Sequence, residues 1–458
     1  MKLTSTLLLA ASICLAQESD IVIKIMKGDR SVVAVPDMRG TGDAQNHMGV
    51  FNRTLFSDLQ DSGYFTMAPK SMYPVQLPQQ PTDFKPPLPP PAARPGAAQP
   101  TPVSQGPWLT DWSGPPVSAN YLTVGYSAVQ NDRIVLFAWL FNVNQPDLAN
   151  AQVFGKLYFG TVDETGARKV AHEFAADILA KFGALSLSGS KIYFSSDRTG
   201  ANQKEIWGME HDGSNQKQIT QLRSISISPA VSPDGTRLAF TTFAGGSPSI
   251  MLFSLESGRM LRFYNQRASL NATPTFTPDG KQVIFSSTAA GGGAQLYICD
   301  ADGSGFRRLT SSPSIDIEPK VNPRTGAEVV FTSGRSGPPQ IYKMNMDGAN
   351  AIRLTSGEGD AVNAAWHPDG QHIAFSWTKG YDPGSYNIFV MDVATRQYVQ
   401  LTHGQGRNEN PTWAPDGRHL VFSSNRSGSN QIWTMLADGT QARQLTTQGR
   451  NGNPVWSK

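Results

Sequence analysis

From Lys191 onward the apolar residues fall in short clusters punctuated by Gly, Asp and Asn. No stretch there repeats apolar residues at the 3.6-residue spacing of a helix face, so a helical solenoid is excluded. One cluster recurs as "KIYFSS", "RLAFTT", "QVIFSS", "EVVFTS", "HIAFSW" and "HLVFSS", placing Phe194, Phe240, Phe285, Phe331, Phe375 and Phe422 in equivalent positions. A second phrase precedes most of these, as in "SPAVSPDG", "ATPTFTPDG" and "NPTWAPDG". Its marker positions Pro229, Pro274, Pro319, Ala364, Pro411 and Pro454 are separated by 45, 45, 45, 47 and 43 residues. A third phrase ("QIYKMNMDG", "QIWTMLADG") and a fourth ("RRLT", "RQLT") complete the unit. Four β-rich segments per unit, joined by Asp-Gly turns, predict four antiparallel strands. Such a unit repeated at this period is the pattern of a β-propeller.

The first phrase centres on Val231, Phe276, Val321, Trp366, Trp413 and Trp456, six in all, and the second cluster also occurs six times. The two sets are out of phase, because Phe194 has no convincing first phrase before it and Trp456 has no partner cluster after it. A six-bladed ring over residues 183–458 resolves this if "NPVWS" supplies the innermost strand of the blade that begins at Lys191. The rival for that strand is "GALSLSG" at Gly183–Gly189, which lacks the proline and the aromatic residue.

Residues 17–182 pattern differently. Ile21–Ile25 and Val32–Val35 read as strands. Met48, Phe51, Leu55 and Leu59 recur at helical spacing within residues 45–61, with Gly63 as the stop. Three further strands ("YLTVGYSAV", "RIVLFAWLFNV", "VFGKLYFGTV") and a closing helix carrying Val170, Phe174, Ile178 and Leu179 on one face follow. This predicts an α/β domain with a mixed sheet and two helices. The proline-rich stretch 74–107 is expected to be an extended, solvated insertion, either passive or a polyproline ligand. Lys2, the apolar run Leu7–Ala16 and small residues before Gln17 read as a cleaved secretory signal over residues 1–16. A lipidated Cys14 is the alternative. The run is too short to span a bilayer as a helix.

Composition narrows the function. Charged residues make up 16% of the chain and the net charge is +3, which speaks against a nucleic-acid binder. Beyond residue 16 a single cysteine remains, Cys299, read as a buried inert thiol. There is no Gly-x-Ser-x-Gly elbow, no Walker loop and no His-Glu-x-x-His. The seven histidines lack metal-ligand spacing, and "DADGSG" lacks the acid that would complete a calcium loop, since Ser311 occupies that position. No cofactor and no metal are expected. The recurrent polar residues fall just before each inner strand: Ser226 and Ser228, Asn271, Asp316 and Glu318, Asn363, Asn408 to Asn410, Asn451 and Asn453. They either terminate strands or, as a ring at the channel mouth, form a polar binding surface.

These Pro-x-Trp-x-Pro-Asp-Gly phrases, with "DIVIKI…VVAVPDM", "DLQDSGYF" and "ARKVAHEFAADIL" upstream, resemble the TolB family. The resemblance covers nearly all of the chain beyond residue 16. It implies a non-enzymatic, monomeric periplasmic adaptor of the Tol–Pal system, serving outer-membrane integrity and constriction at division. It implies binding of the peptidoglycan-associated lipoprotein Pal at Leu270, Asn271, Thr273, Ile317 and Glu318, with Asn363 and Asn410 alongside. It also implies contact with TolA through Gln17, Glu18, Ser19, Asp20, Ile21, Val22 and Ile23. The proline-rich insertion and the apolar Leu270 depart from the family pattern. Two other readings stay open: a propeller lyase or hydrolase, with only His367 and His403 near the relevant phrases, and a sensor or scaffold with an unrelated ligand.

Overall fold

The computed structural model describes residues 30–89, 103–200 and 202–458. The chain forms two compact units, Gly28–Ser188 and Gly189–Lys458. The expected signal, the strand at Ile21–Ile25 and the arm Gln17–Ile23 lie outside the described residues.

The first unit is built on a mixed sheet. Its strands run in the order Phe65–Met67, Ser31–Ala34, Tyr121–Gln130, Arg133–Asn142, Gln152–Gly160. Ser31–Ala34 is parallel to both neighbours, and the last three strands are antiparallel. Helices Met48–Asp61 and Glu164–Lys181 bury Phe51, Leu55, Leu59, Phe174 and Ile178 against Val33, Leu136 and Leu140. Asp163 caps the second helix by accepting a hydrogen bond from Gly166 N at 2.7 Å. Gly63 (φ +68°) ends the first, as its sequence position predicts.

The proline-rich stretch requires a correction. Its described part is not wholly solvated: Val75 is fully exposed, but Phe84 within it, and Leu109 and Trp112 just beyond it, pack on Leu122, Val124 and Phe141 of the other sheet face. Pro81–Asp83 forms a 3₁₀ turn whose Asp83 carboxylate accepts from Gln79 N and Gln80 N at 2.8 and 3.1 Å. Leu88 and Val103 exchange both backbone hydrogen bonds, pinning the root of the insertion. Proline is tolerated in a first helical turn, and burial of a few large apolar side chains is enough to hold such a segment on a sheet.

The second unit consists of six four-stranded antiparallel sheets. The first strands of blades 2 to 6, which are the innermost, are Ser226–Val231, Asn271–Phe276, Asp316–Val321, Ala361–Trp366 and Asn408–Trp413. Blade 1 is completed from the far end of the chain: its order is Asn451–Ser457, Lys191–Ser196, Glu205–Glu210, Lys217–Gln218. Asn451 lies opposite Ser196 and Trp456 opposite Ile192. The Trp456 indole N–H donates to Ser190 Oγ at 2.9 Å. Gly183–Gly189 forms no strand, so the rival is excluded. The six second-strand phenylalanines are all at most 2% exposed, each at the centre of its blade.

The fourth phrase also has a physical role. In five blades its threonine (Thr220, Thr310, Thr355, Thr402, Thr446) accepts the N–H of Ile206, Leu296, Ile341, Ile388 or Ile432 at 2.9 Å. The same hydroxyl donates to Glu205, Gln295, Gln340, Asn387 or Gln431. The two outer strands of each blade are thereby locked through one buried hydroxyl. Blade 2 has no such threonine and uses Asn265, which both accepts from Ile250 N and donates to Ile250 O at 2.8 Å.

Candidate functional site

Every inner strand breaks register at its third residue, where a β-bulge interrupts pairing with the second strand. The bulged residues are Ser228, Thr273, Glu318, Asn363, Asn410 and Asn453, with φ between +49° and +58°. Asparagine accepts this left-handed conformation most readily, whereas threonine and glutamate are strained there. In five blades the next residue is proline, which needs no partner for a backbone N–H. The polar residues expected just before the inner strands therefore sit inside them. There a bulge re-aims the side chain rather than ending the strand.

Repeated around the ring, the bulges line the central channel. A cavity of about 70 Å³, room for a few waters, is bounded by the six bulged residues, the five prolines, Ala364, Lys320 and Thr412. The ring is hydrogen-bonded to itself. Thr273 Oγ1 meets Ser286 Oγ at 2.7 Å, and Thr332 Oγ1 donates to Glu318 Oε2 at 2.9 Å. Across blades, Thr273 N donates to Thr241 Oγ1 at 2.9 Å. Asn363 donates through its backbone N and its Nδ2 to Glu318 at 3.0 and 2.8 Å. Thr412 Oγ1 donates to Pro454 O at 3.0 Å.

Among the residues expected to meet a partner, Thr273, Glu318, Asn363 and Asn410 come together on this ring. Asn271 stands two residues before its bulge and is 2% exposed. Its amide is committed to Gln266 O (3.0 Å) and Ser287 Oγ (2.8 Å). Leu270 and Ile317 are half-buried and do not line the cavity. Beside Ile317's level, Glu409 pairs with Arg407 at 2.6 Å, and burial together with Glu318 pushes its carboxyl up despite that partner.

Sequence reading missed Lys320. The position two after each bulge is Ala230, Thr275, Lys320, Ala365, Thr412 or Val455, so a single cation stands in an otherwise uncharged set. Burial lowers the pKa of its ammonium, with Glu318 opposing that shift. The histidines also resolve. His367, Asp369 and His372 cluster on the turn after the inner strand of blade 5, with ligand-capable atoms within 4.8 Å of one another. The spacing search overlooked this group because an aspartate intervenes. Its atoms are engaged locally: His367 Nε2 with Gly417 O (2.8 Å), His367 Nδ1 with Asp369 N (3.1 Å) and His372 Nδ1 with Asp369 Oδ2 (2.7 Å). Neither His367 nor the exposed His403 lines the channel, so the pair named for a channel enzyme does not converge.

Similarity to known proteins agrees with this geometry. A TolB homolog of Chlorobium chlorochromatii is 36% identical over 147 residues, covering 32% of each chain. The Tol-Pal system protein TolB of Cereibacter sphaeroides is 30% identical over 269 residues, covering 56% of this chain and 53% of that one. The matched region thus spans about a third to a half of these curated relatives. The crystal structure of TolB from Acinetobacter baumannii superposes with a TM-score of 0.73 over 94% of this chain and 97% of that one, at 21% identity, a likeness of fold. The PD40 family, described as the TolB beta propeller domain, matches residues 203–381 and 356–458. With more than half of its length in that match and six bulged blades to account for it, the chain belongs to the TolB family.

Proposed function

We propose that the protein is a periplasmic, non-enzymatic adaptor of the Tol–Pal system. It binds the lipoprotein Pal at the channel mouth and TolA through Gln17–Ile23, coupling the inner membrane to the outer one during envelope maintenance and constriction. The observation that carries this reading is the ring of bulges. Six inner strands present Ser228, Thr273, Glu318, Asn363, Asn410 and Asn453 at one level of the propeller. A surface assembled from six blades is held rigidly by the sheets beneath it, which suits recognition of a folded partner. The relatives' names place them in the Tol–Pal system, and no described helix is long and apolar enough to cross a membrane.

The test is calorimetric titration of the protein with the purified soluble domain of its cognate Pal. Binding is expected. Thr273→Arg, which sets a long cation on the ring, is expected to weaken it at least tenfold while leaving the melting temperature within a few degrees. Absence of binding by the wild-type protein would overturn the reading. The TolA contact is tested separately by deleting Gln17–Ser19, which is expected to weaken TolA binding and leave the propeller's own melting unchanged.

A further inference from the structure

The central channel holds a charge that the fold does not satisfy. Lys320 lines the cavity, and among the described residues its Nζ has no hydrogen-bond or ion-pair partner. The obvious counter-ion, Glu318, is already used: its two carboxylate oxygens accept from Thr332 Oγ1, Asn363 N and Asn363 Nδ2. Two of these donors belong to Asn363 of blade 5 and one to Thr332 of Glu318's own blade, and no ion pair with Lys320 is formed. Glu409, the next acid around the ring, is held by Arg407 at 2.6 Å. Burial of the lysine outweighs the attraction of Glu318, as the downward direction of its pKa shows. Lys320 is half-buried, and a partly desolvated ammonium without a direct partner is stabilised by an anion that reaches it.

The surroundings suit a small anion. The cavity of about 70 Å³, room for a few waters, can take a small anion in their place. Around the ring, proline occupies the position after the bulge in five blades. In blade 5 that position is Ala364, which is smaller and borders the same cavity as Lys320. The Trp366 indole donates to Lys320 O at 3.1 Å, fixing the two inner strands against each other at this point. The lysine backbone is therefore held while its side chain is left to the channel.

We propose that the propeller channel is an anion site centred on Lys320, taking a carboxylate. That carboxylate is either a free small acid or an acidic group brought by a bound partner. The inference does not depend on the Tol–Pal reading.

Acetate is the probe. Titrating the full chain with sodium acetate at constant ionic strength, followed by calorimetry and by melting temperature, is expected to give saturable binding. Lys320→Met and Lys320→Gln, which keep the stem but remove the charge, are expected to lose it by about tenfold or more, the scale of one charge-assisted hydrogen bond. A non-saturating response identical in wild type and both variants would overturn the proposal. A second arm separates the sources. If acetate competes with the Pal domain for the wild type but not for Lys320→Met, the carboxylate in the complex is the partner's. If acetate binds without affecting Pal affinity, the site takes a free acid. If Pal fails to bind at all, the adaptor reading falls while the acetate arm still decides the site.

Discussion

At the scale of single residues, the repeat uses side chains to settle backbone groups that the sheet cannot. The threonine of the fourth phrase is the clearest case, because its hydroxyl both accepts a buried N–H and donates to the start of the third strand. Thr446→Val is expected to orphan Ile432 N and to leave Gln431 Oε1 with Asn451 Nδ2 as its one remaining donor. It should cost about 1–3 kcal/mol in urea unfolding. Lys320 makes the opposite prediction. Its folded pKa lies below the unfolded value of 10.5, so the charged form is penalised only in the folded state. Between the folded pKa and 10.5 the unfolded chain binds the extra proton, and stability therefore rises with pH across that window. Lys320→Met removes the penalty. In buffer free of small carboxylates the variant should be more stable than wild type at neutral pH, and the gap should close as pH approaches 10.5. A gap that widened with pH would contradict the burial argument.

At the scale of elements, the inner strand is defined by its bulge. Asn410 sits at φ +53°, a conformation that asparagine and glycine accept and a β-branched residue resists. Asn410→Gly should leave stability nearly unchanged, whereas Asn410→Val should lower it by about 1–3 kcal/mol, both read by chemical denaturation. Removing Asn453–Lys458 would strip most of blade 1's inner strand and open an unpaired edge on Lys191–Ser196. The expected loss is several times the roughly 1 kcal/mol of an average substitution. The propeller's strands, the six phenylalanines and the closure through Trp456 were legible in the sequence, because short apolar clusters and turn residues report local geometry directly. The bulge was not. Asn, Thr, Ser and Glu before proline read as strand terminators, since one residue of left-handed backbone leaves no periodic trace. The packing of Phe84 and Leu109 on the sheet was hidden for a related reason: a proline-rich composition describes the backbone and says little about where an isolated aromatic is buried. Lys320 follows the third marker proline, where the other repeats carry Ala, Thr or Val, but only the fold shows that it lines the channel cavity.

At the scale of the whole molecule, the propeller closes on itself by pairing strands more than 250 residues apart (Ser195 Oγ with Gly452 O, 2.9 Å). A ring sealed in this way presents its inner strands as one fixed surface. That rigidity is what an adaptor requires, because a partner docked on six blades meets groups already held by hydrogen bonds to one another. Most of the recognition free energy can then come from contact rather than from ordering the site. The most direct measurement is amide hydrogen exchange of the full chain with and without the purified Pal domain, read peptide by peptide. The account predicts added protection at the inner-strand entries, residues 226–231, 270–276, 316–321 and 361–366. The exposed outer strand Arg259–Leu261 should exchange as before. Protection confined to the outer strands, with the inner-strand entries unchanged, would contradict it.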